Sequence, residues 1–374
     1  MGKMVNEKKL FGDVYRDKKV LITGHTGFKG SWLSLWLLSF GAKVYGISKD
    51  APSEPSNFEV LGLEKQLTHF QEDIRDLKKI TEIVKEVQPD FVFHLAAQAL
   101  VSRSYENPIE TITTNVVGTA NILEALRTVN PKCVAVIITS DKCYDNIEQV
   151  EGYHENDRLG GKDIYSGSKG AAELIFKSYF HSFFKNNSNV KLATTRAGNV
   201  IGGGDWAKDR IVPDCMRAWS ENRAVNIRSP KATRPWQHVL EPLSGYLLLG
   251  QQLLVDEKLN GSSFNFGPRS EETHSVQEVI ESLSSYWNFS DPKEAYNTIE
   301  VQKFHEAGLL KLNCDKALAQ LDWSPVLDYD TLIKFTGSWY HAFYKEEINM
   351  LDYTLDQIKN YEELAANKQL IWSK

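Results

Sequence analysis

The stretch KKVLITGHTGFKG, Lys18 to Gly30, decides the fold class, because it joins an apolar strand, a glycine turn and the start of a helix. Gly24, Gly27 and Gly30 follow the strand at intervals of three residues, rather than the more usual two and three. A tight turn, close approach of the backbone to a pyrophosphate and dense packing of helix on sheet all require glycine. The helix then offers N–H groups and its positive dipole end to phosphates. The stretch predicts the first βα unit of a dinucleotide-binding domain.

The chain that follows alternates short apolar runs with helical patterns. Strands are predicted over Lys18–Gly24, Ala42–Ser48, Phe91–Ala97 and Cys133–Ser140, and helices over Ser31–Phe40, Asp76–Gln88 and Thr114–Val129. Strands that alternate with helices form a parallel sheet covered on both faces, and strands buried on both faces are continuously apolar. We therefore expect an α/β fold with a doubly wound parallel sheet of the Rossmann type.

The pattern loosens after Asn199, where GNVIGGGDW, Gly198 to Trp206, is typical of a glycine-rich loop. We predict a dinucleotide-binding domain over residues 1–198 and a smaller, mostly helical substrate domain over residues 199–374. Segments around 235–270 are expected to return to the first domain. A ligand cleft is expected between the two domains.

Composition argues against several functional classes. The net charge of −6 argues against general nucleic-acid binding. The longest apolar stretch, Ser31–Phe40, is too short to cross a bilayer, and the first residues have no apolar signal core. We therefore expect a cytoplasmic protein with no membrane partner. The four cysteines form no C-x-x-C pair, so neither a metal site nor a disulfide framework is predicted.

One segment departs from the acidic balance. Lys208 to Arg234 carries seven basic and three acidic side chains, a local charge of +4. The segment is either a solvated surface or a site for an anionic small molecule such as a diphosphate.

Two further stretches carry reactive side chains. In VIITSDKCYDN, the hydroxyl, carboxylate and ammonium of Ser140, Asp141 and Lys142 follow an apolar strand. Parallel sheets place ligands beyond the carboxyl ends of their strands, which is where these three residues are expected. In YSGSKG, Tyr165 and Lys169 are four residues apart and share a helix face. Because a nearby cation favours the phenolate, we predict a lowered pKa for Tyr165, which would then act as a general base.

These motifs resemble a known family. GHTGFKG, LAAQ (Leu95 to Gln98), the strand end at Ser140, Tyr165-x-x-x-Lys169 and GNVIGGGDW are similar to those of extended short-chain dehydrogenases/reductases. The resemblance runs from about Lys18 to Val326, and within the superfamily the chain resembles the nucleotide-sugar 4,6-dehydratases. It implies a lyase that oxidises C4 with NAD, eliminates water across C5 and C6, and reduces C6 with the same cofactor. Such enzymes supply deoxysugar and lipopolysaccharide biosynthesis.

The resemblance also implies catalytic roles. Ser140, Tyr165 and Lys169 match the triad that oxidises the sugar, and Asp141 matches the acid that protonates the departing 6-hydroxyl. Lys142 stands where many relatives carry Glu. Lys142 is either a neutral amine that removes the C5 proton, or a cation that stabilises the C5 enolate while water or Asp141 moves the proton.

The ligand contacts follow from the same resemblance. The cofactor would contact Gly24, Thr26, Gly27, Phe28, Gly30, Asp50, Asp73, Ile74, Leu95, Ala96, Ala97, Tyr165 and Lys169. At the adenosine end, Asp50 suits the 2′-hydroxyl of NAD and Lys49 suits the 2′-phosphate of NADP; we favour NAD. The nucleotide sugar would be held by Gln98, Asn199, Arg228 and Arg234. The identification of the substrate's base as cytosine rests on the resemblance alone.

Three neighbouring polar or aromatic residues are expected to be structural. We predict that Trp236 lies in the core and that His94 and His238 are buried with satisfied hydrogen bonds. Family members commonly pair through two helices, which here would lie near Thr114–Val129 and Ser166–Lys185. We therefore expect a homodimer, or an assembly of such dimers.

Two rival functions remain open on the sequence. One is an enzyme of the same fold that acts as a 4-epimerase, or as a dehydratase on another nucleotide sugar. The other is a non-catalytic nucleotide-binding subunit, against which the joint presence of Ser140, Tyr165 and Lys169 argues.

Overall fold

The computed structural model describes residues 9–186, 189–269, 271–287, 289–299 and 309–374. Its strands are β1 (Lys19–Thr23), β2 (Lys43–Ser48), β3 (Thr68–Gln71), β4 (Phe91–His94), β5 (Cys133–Ile138), β6 (Val190–Arg196), β7 (Val200–Ile201), β8 (Val225–Ile227), β9 (Thr233–Arg234), β10 (Gln237–His238), β11 (Ser263–Asn265), β12 (His274–Ser275) and β13 (Tyr296–Thr298). Seven of them form one sheet in the order β11-β6-β5-β4-β1-β2-β3. Every neighbouring pair in this sheet is parallel.

Helices cover both faces of the sheet. They are α1 (Phe28–Ser39), α2 (Asn57–Val60), α3 (Leu77–Val87), α4 (Val101–Glu106), α5 (Pro108–Ile112), α6 (Gly118–Leu126), α7 (Ile164–Tyr179), α8 (Ile211–Ser220), α9 (Leu240–Leu253), α10 (Val276–Ser284), α11 (Asp315–Leu321), α12 (Tyr329–Lys345) and α13 (Met350–Asn367). The order of strands and helices confirms the predicted doubly wound parallel sheet. No helix within the described residues is long and apolar enough to span a bilayer.

The core forms two layers because successive side chains of a strand point to opposite faces. On one face Val20 and Val136 pack with Trp32 of α1 and Leu247 of α9. On the other face the neighbouring residues of the same strands pack against α3, α6 and α7. Each continuously apolar strand therefore contributes side chains to the hydrophobic core on both faces of the sheet.

The structure shortens two predicted elements. The strand predicted over Phe91–Ala97 ends at His94, because Ala96 leaves the ladder and donates its N–H to the Thr23 hydroxyl. The helix predicted over Thr114–Val129 begins in a π-helical turn, Thr113–Val117, and ends at Leu126.

The chain after Asn199 builds the other wall of the site. Small two-stranded pairs join β7 with β10, β8 with β13 and β9 with β12. Strand β11 adds to the main sheet beside β6, and α9 packs against β5. The glycine-rich loop is fixed to the first half, because Trp32 of α1 donates its indole N–H to the carbonyl of Gly203.

Candidate active site

A cavity of about 1060 Å³ runs along the carboxyl ends of the central strands, between the sheet and the chain after Asn199. It exceeds the 300–1,000 Å³ typical of a site for one small ligand, so it has room for more than one. All the residues that the sequence assigned to catalysis, cofactor or substrate line this cavity.

The glycine turn forms one end of the cavity. Gly24 adopts φ 75°, and a Cβ there would lie 2.7 Å from the backbone nitrogen of Ala96. A Cβ on Gly30 would overlap the carbonyl of Gly24. Helix α1 starts at Phe28, and no side chain caps its N-terminus at Gly27. The uncapped N–H groups and close backbone packing fit the pyrophosphate of a dinucleotide.

The second strand leads to the predicted adenosine end. The Thr26 hydroxyl donates to the carbonyl of Asp50 at 2.7 Å, which holds the glycine turn against the end of β2. The Asp50 side chain is exposed on the cavity wall, as is its neighbour Lys49. Asp73 is held by the guanidinium of Arg75 beside it. The geometry thus places Lys49 and Asp50 at the same rim of the cavity.

The catalytic strand end carries an incompletely bonded carboxylate. Ser140 precedes a 3-10 turn, and its hydroxyl donates to Asp141 Oδ1 at 2.9 Å and accepts from the Lys142 N–H at 3.2 Å. Asp141 is 3% exposed, and its Oδ2 finds no hydrogen-bond partner among the described residues. A Cβ at Gly198 would overlap this oxygen, so glycine there makes room for the carboxylate.

Tyr165 and Lys169 lie buried on α7 beside this carboxylate. Burial raises the pKa of Tyr165 to about 12, while its hydrogen bond with Ser140 and the charge of Arg210 act to lower it. The predicted lowering of the Tyr165 pKa by Lys169 is therefore wrong, because desolvation of the phenolate outweighs the cations nearby. Burial lowers the pKa of Lys169 to about 8, against the raising effect of Cys143 and Glu173.

Three charged residues that the sequence did not assign complete this part of the site. Arg210 donates to Asp205 at 2.8 Å, and the pair lies within electrostatic reach of Lys29 on the first turn of α1. The pKa of Lys29 is lowered to about 8, chiefly by burial and next by the charge of Arg210, while the charge of Asp141 acts to raise it. The signals were present, since Lys29 is a charge inside a glycine motif and Arg210 belongs to the basic segment.

The predicted substrate contacts differ in their burial and in the hydrogen bonds that they make. The Gln98 amide donates to the Leu100 carbonyl and the Thr111 hydroxyl and accepts from the Leu100 N–H. It therefore organises its own loop. Arg228 and Arg234 lie half-buried in the cavity wall formed by the chain after Asn199, and Arg234 donates to the carbonyl of Thr233. Asn199 lines the same cavity in a left-handed conformation, φ 50°.

The three residues predicted to be structural are all buried. Trp236 donates its indole N–H to the His274 carbonyl, and His94 bonds Thr23 and Thr119, so these two predictions are confirmed. His238 accepts from the Leu240 N–H through Nδ1, but its Nε2 has no partner within the part of the chain that the structure describes. The prediction that His238 is fully satisfied is therefore wrong.

A second buried carboxylate lies one helical turn beyond Lys169. Glu173 is fully buried and accepts from Thr139, Thr194 and both Nε and Nη2 of Arg196. Arg196 also stacks over the ring of Tyr144. The pair joins β5, β6 and α7 directly beneath the catalytic strand end.

Comparison with known proteins gives the family. The family model described as GDP-mannose 4,6 dehydratase matches residues 21–336. The chain is 45% identical over 352 residues to a CDP-glucose 4,6-dehydratase of Salmonella typhimurium, covering 93% of this chain and 97% of that protein.

Solved structures share the fold at lower identity. A dTDP-glucose 4,6-dehydratase from Streptomyces venezuelae with NAD bound is 20% identical, with a TM-score of 0.73 over 86% of this chain and 96% of that one. A UDP-glucuronic acid 4-epimerase from Bacillus cereus with NAD is 20% identical, with a TM-score of 0.73 over 87% of this chain and 99% of that one. These likenesses confirm the fold.

Proposed function

The chain belongs to the GDP-mannose 4,6-dehydratase family, and we propose that it converts CDP-D-glucose to CDP-4-keto-6-deoxy-D-glucose and water. The observation that carries this proposal is the buried, unpartnered Oδ2 of Asp141 beside Ser140 and Tyr165. A 4-epimerase needs only the oxidising groups, whereas a dehydratase also needs an acid for the departing hydroxyl. The 45% identity to a CDP-glucose 4,6-dehydratase supports the same substrate.

The cofactor is NAD, as in the two solved relatives. The uncapped start of α1, the close packing at Gly24 and Gly30 and the exposed carboxylate of Asp50 fit its pyrophosphate and adenosine ribose. When bound, NAD accepts a hydride from C4 of the sugar and returns one to C6, so the reaction is redox-neutral overall.

The oxidising half of the site moves one proton. We assign Tyr165 as the group that takes the proton of the sugar 4-hydroxyl. Burial raises the pKa of Tyr165 to about 12 even though Ser140 and Arg210 both act to lower it. Because the Ser140 hydroxyl has a single proton, it can donate to the phenolate only when it turns from Asp141 Oδ1 to Tyr165. Lys169, one helical turn away, adds a donor within the same buried pocket.

The eliminating half moves two protons. The new 4-ketone makes the C5 proton acidic, and Asp141 protonates the 6-hydroxyl as it leaves. The Ser140 hydroxyl occupies Oδ1, so Oδ2 is the oxygen that can carry this proton. Lys142 is exposed on the cavity wall rather than enclosed. Both roles considered for it, neutral base and cationic stabiliser of the C5 enolate, remain proposals.

We place the nucleotide against the cavity wall formed by the chain after Asn199. Arg228 and Arg234 would hold the diphosphate, since a guanidinium can bind phosphate oxygens in pairs. Asn199 can donate an amide hydrogen bond to the same group. This proposal gives the basic segment Lys208–Arg234 its ligand.

We further propose a homodimer, or an assembly of such dimers. The helices from α4 to α7 expose apolar side chains, among them Ile109 at 70%, Val117 at 43% and Leu174 at 55%. Helices that pair would cover them. A cytoplasmic location fits an enzyme whose substrate and cofactor are both charged nucleotides.

The test is incubation with NAD and the glucose esters of CDP, UDP, dTDP and GDP, followed by NMR of the products. We expect CDP-glucose to lose one water and to give a 4-keto-6-deoxy sugar. In deuterated water the product should carry deuterium at C5. A product that keeps its 6-hydroxyl and is inverted at C4 would identify an epimerase, and preferred turnover of another ester would move the substrate assignment.

A further inference from the structure

One wall of the cavity combines apolar surface with a single carboxylate. It is formed by the first turn of α8, with Ile211 and Asp214, and by the end of β8 and the residue after it, Ile227 and Arg228. Cys215, Met216 and Trp219 of α8 are buried in the core. The first turn of the helix, Ile211 to Asp214, lines the cavity, and Asp214 is its only carboxylate. A nucleobase is complementary to such a wall, because it has two apolar faces and a polar edge that can form hydrogen bonds.

Asp214 has one oxygen engaged and one available. Its Oδ1 accepts from the guanidinium of Arg217, one turn along α8, and Arg217 is itself bonded to the carbonyl of Trp206. No described residue donates a hydrogen bond to Oδ2. The Asp214 side chain is 36% exposed and belongs to the lining of the cavity. Arg217 therefore fixes the carboxylate in position without using its second oxygen.

Asp214 and Arg228 line the same cavity. Arg228 is near enough to act on the charge of Asp214, yet within the described chain the two form no direct ion pair. If Arg228 binds the diphosphate, as proposed above, a carboxylate a short way along the same wall faces the nucleoside. Two phosphates would be repelled by Asp214, whereas an amine would not.

We infer that Asp214 reads the base of the nucleotide sugar by accepting a hydrogen bond from the exocyclic amine of cytosine. A carboxylate is a matched acceptor for the N4 amine of cytosine. Uracil and thymine carry a carbonyl at the same ring position, and a carboxylate would repel it. The inference rests on the proposed function. It names a residue that would account for a preference for CDP, which the spacing of the sequence motifs could not identify.

The experiment measures the dissociation constants of CDP and UDP by calorimetry, in the presence of NAD, for the wild type and for Asp214→Asn. An amide is neutral and can donate to the uracil carbonyl, so we expect the ratio of UDP to CDP dissociation constants to fall about tenfold. Because CDP and UDP carry the same charge, a change in this ratio reports on the base. The control is Asp209→Asn, which removes a charge from the same cavity at a residue bonded to Ser102. Its ratio should stay at the wild-type value.

Asp214→Glu keeps the charge but moves the carboxylate by one methylene, and it too should weaken CDP relative to UDP. An unchanged ratio in both Asp214 variants, with a lower melting temperature, would overturn the inference and reduce Asp214 to an ion pair with Arg217. If the wild-type protein binds CDP more tightly than UDP but does not dehydrate CDP-glucose, the proposed function is refuted. The inference that Asp214 recognises cytosine would still hold. A wild type without preference for CDP would refute the reading of the base.

Discussion

Two buried carboxylates, Glu173 and Asp141, lie at the same end of the sheet and differ in how completely they are hydrogen-bonded. Glu173 receives hydrogen bonds on both oxygens, from Arg196 and from two threonine hydroxyls. Asp141 receives one bond, from the adjacent Ser140, and its second oxygen has no partner in the described chain. Buried polar groups are almost always satisfied, so an exception needs an explanation.

The difference separates structure from function at neighbouring positions. Glu173 with Arg196 ties two strands to α7, and its satisfied bonds leave nothing for a ligand. Asp141 belongs to the cavity lining, and its unpartnered oxygen is buried against Gly198, where a Cβ would leave no room for it. Proteins tend to violate local rules at functional sites, and the unpartnered oxygen of Asp141 belongs to a residue of the cavity lining.

The strongest test of the comparison is Asp141→Asn. An amide cannot protonate the leaving hydroxyl, and general acid catalysis contributes ~10²–10⁴-fold. We expect water elimination to slow within that range, while oxidation at C4 survives and stability changes little. The measurement is the rate of 4-keto-6-deoxy product and of deuterium entry at C5. Asp145→Asn, on the same loop but outside the cavity lining, is the matched control and should turn over normally. Wild-type elimination in Asp141→Asn would remove Asp141 from the mechanism.

Glu173→Gln should show the opposite profile. Removing one partner of a buried ion pair leaves an uncompensated charge and costs about 3–5 kcal/mol. We expect the free energy of unfolding, measured in urea, to fall by that order, with Arg196 left unpaired. Product formation by the folded fraction should suffer much less than in Asp141→Asn. If Glu173→Gln abolished elimination without destabilising the fold, the division between the two carboxylates would be wrong.

Gly198→Ala tests whether the space beside Asp141 matters. A Cβ there would overlap the free oxygen, so the carboxylate must move. Misplacing a catalytic group by about 1 Å can cost ~10²-fold, and we expect elimination to fall by roughly that factor. The control is Gly167→Ala on α7, where a Cβ would meet no atom within 4 Å. Equal rates in the two variants would show that Asp141 has room to adjust.

Lys142→Met tests the residue next to Asp141, for which two roles are proposed. Either proposed role is lost, so elimination should slow, though less than in Asp141→Asn because the exposed lysine can be replaced in part by water. Mixing enzyme, NAD and CDP-glucose in a single turnover should give a reduced-cofactor absorbance that rises and decays slowly. Lys162→Met, another exposed lysine of the cavity wall, should give a wild-type trace. If Lys142→Met did the same, Lys142 would be a surface residue.

The sequence predicted the parts of the fold that depend on local pattern. Continuous apolar runs marked β1, β4 and β5, and the glycine turn marked the start of α1. Ser140 and Tyr165 could be expected to converge, because strand ends and the following helix meet at one edge of a parallel sheet.

Contacts between distant segments could not be predicted in this way. Nothing near Asp141 in the sequence shows that Gly198 makes room for its second oxygen, or that Arg210 acts on Tyr165. The raised pKa of Tyr165 was missed because one sequence shows neighbouring charges but not the degree of burial, and burial is the larger effect here.

The smallest effect concerns the residue between the two carboxylates. Burial lowers the pKa of Lys169 to about 8, and the negative charge of Glu173 is one of two influences that raise it. A neutral glutamine at 173 would withdraw that stabilisation of the ammonium, so the pKa of Lys169 should fall further. In the pH profile of C4 oxidation, measured at low temperature on folded Glu173→Gln, the inflection assigned to Lys169 should move to lower pH. Lys169→Met should lack that inflection, which identifies it. A shift to higher pH, or no shift, would mean that Glu173 and Arg196 act on Lys169 as a neutral pair. Glu173 would then have a structural role only, with no influence on the catalytic lysine.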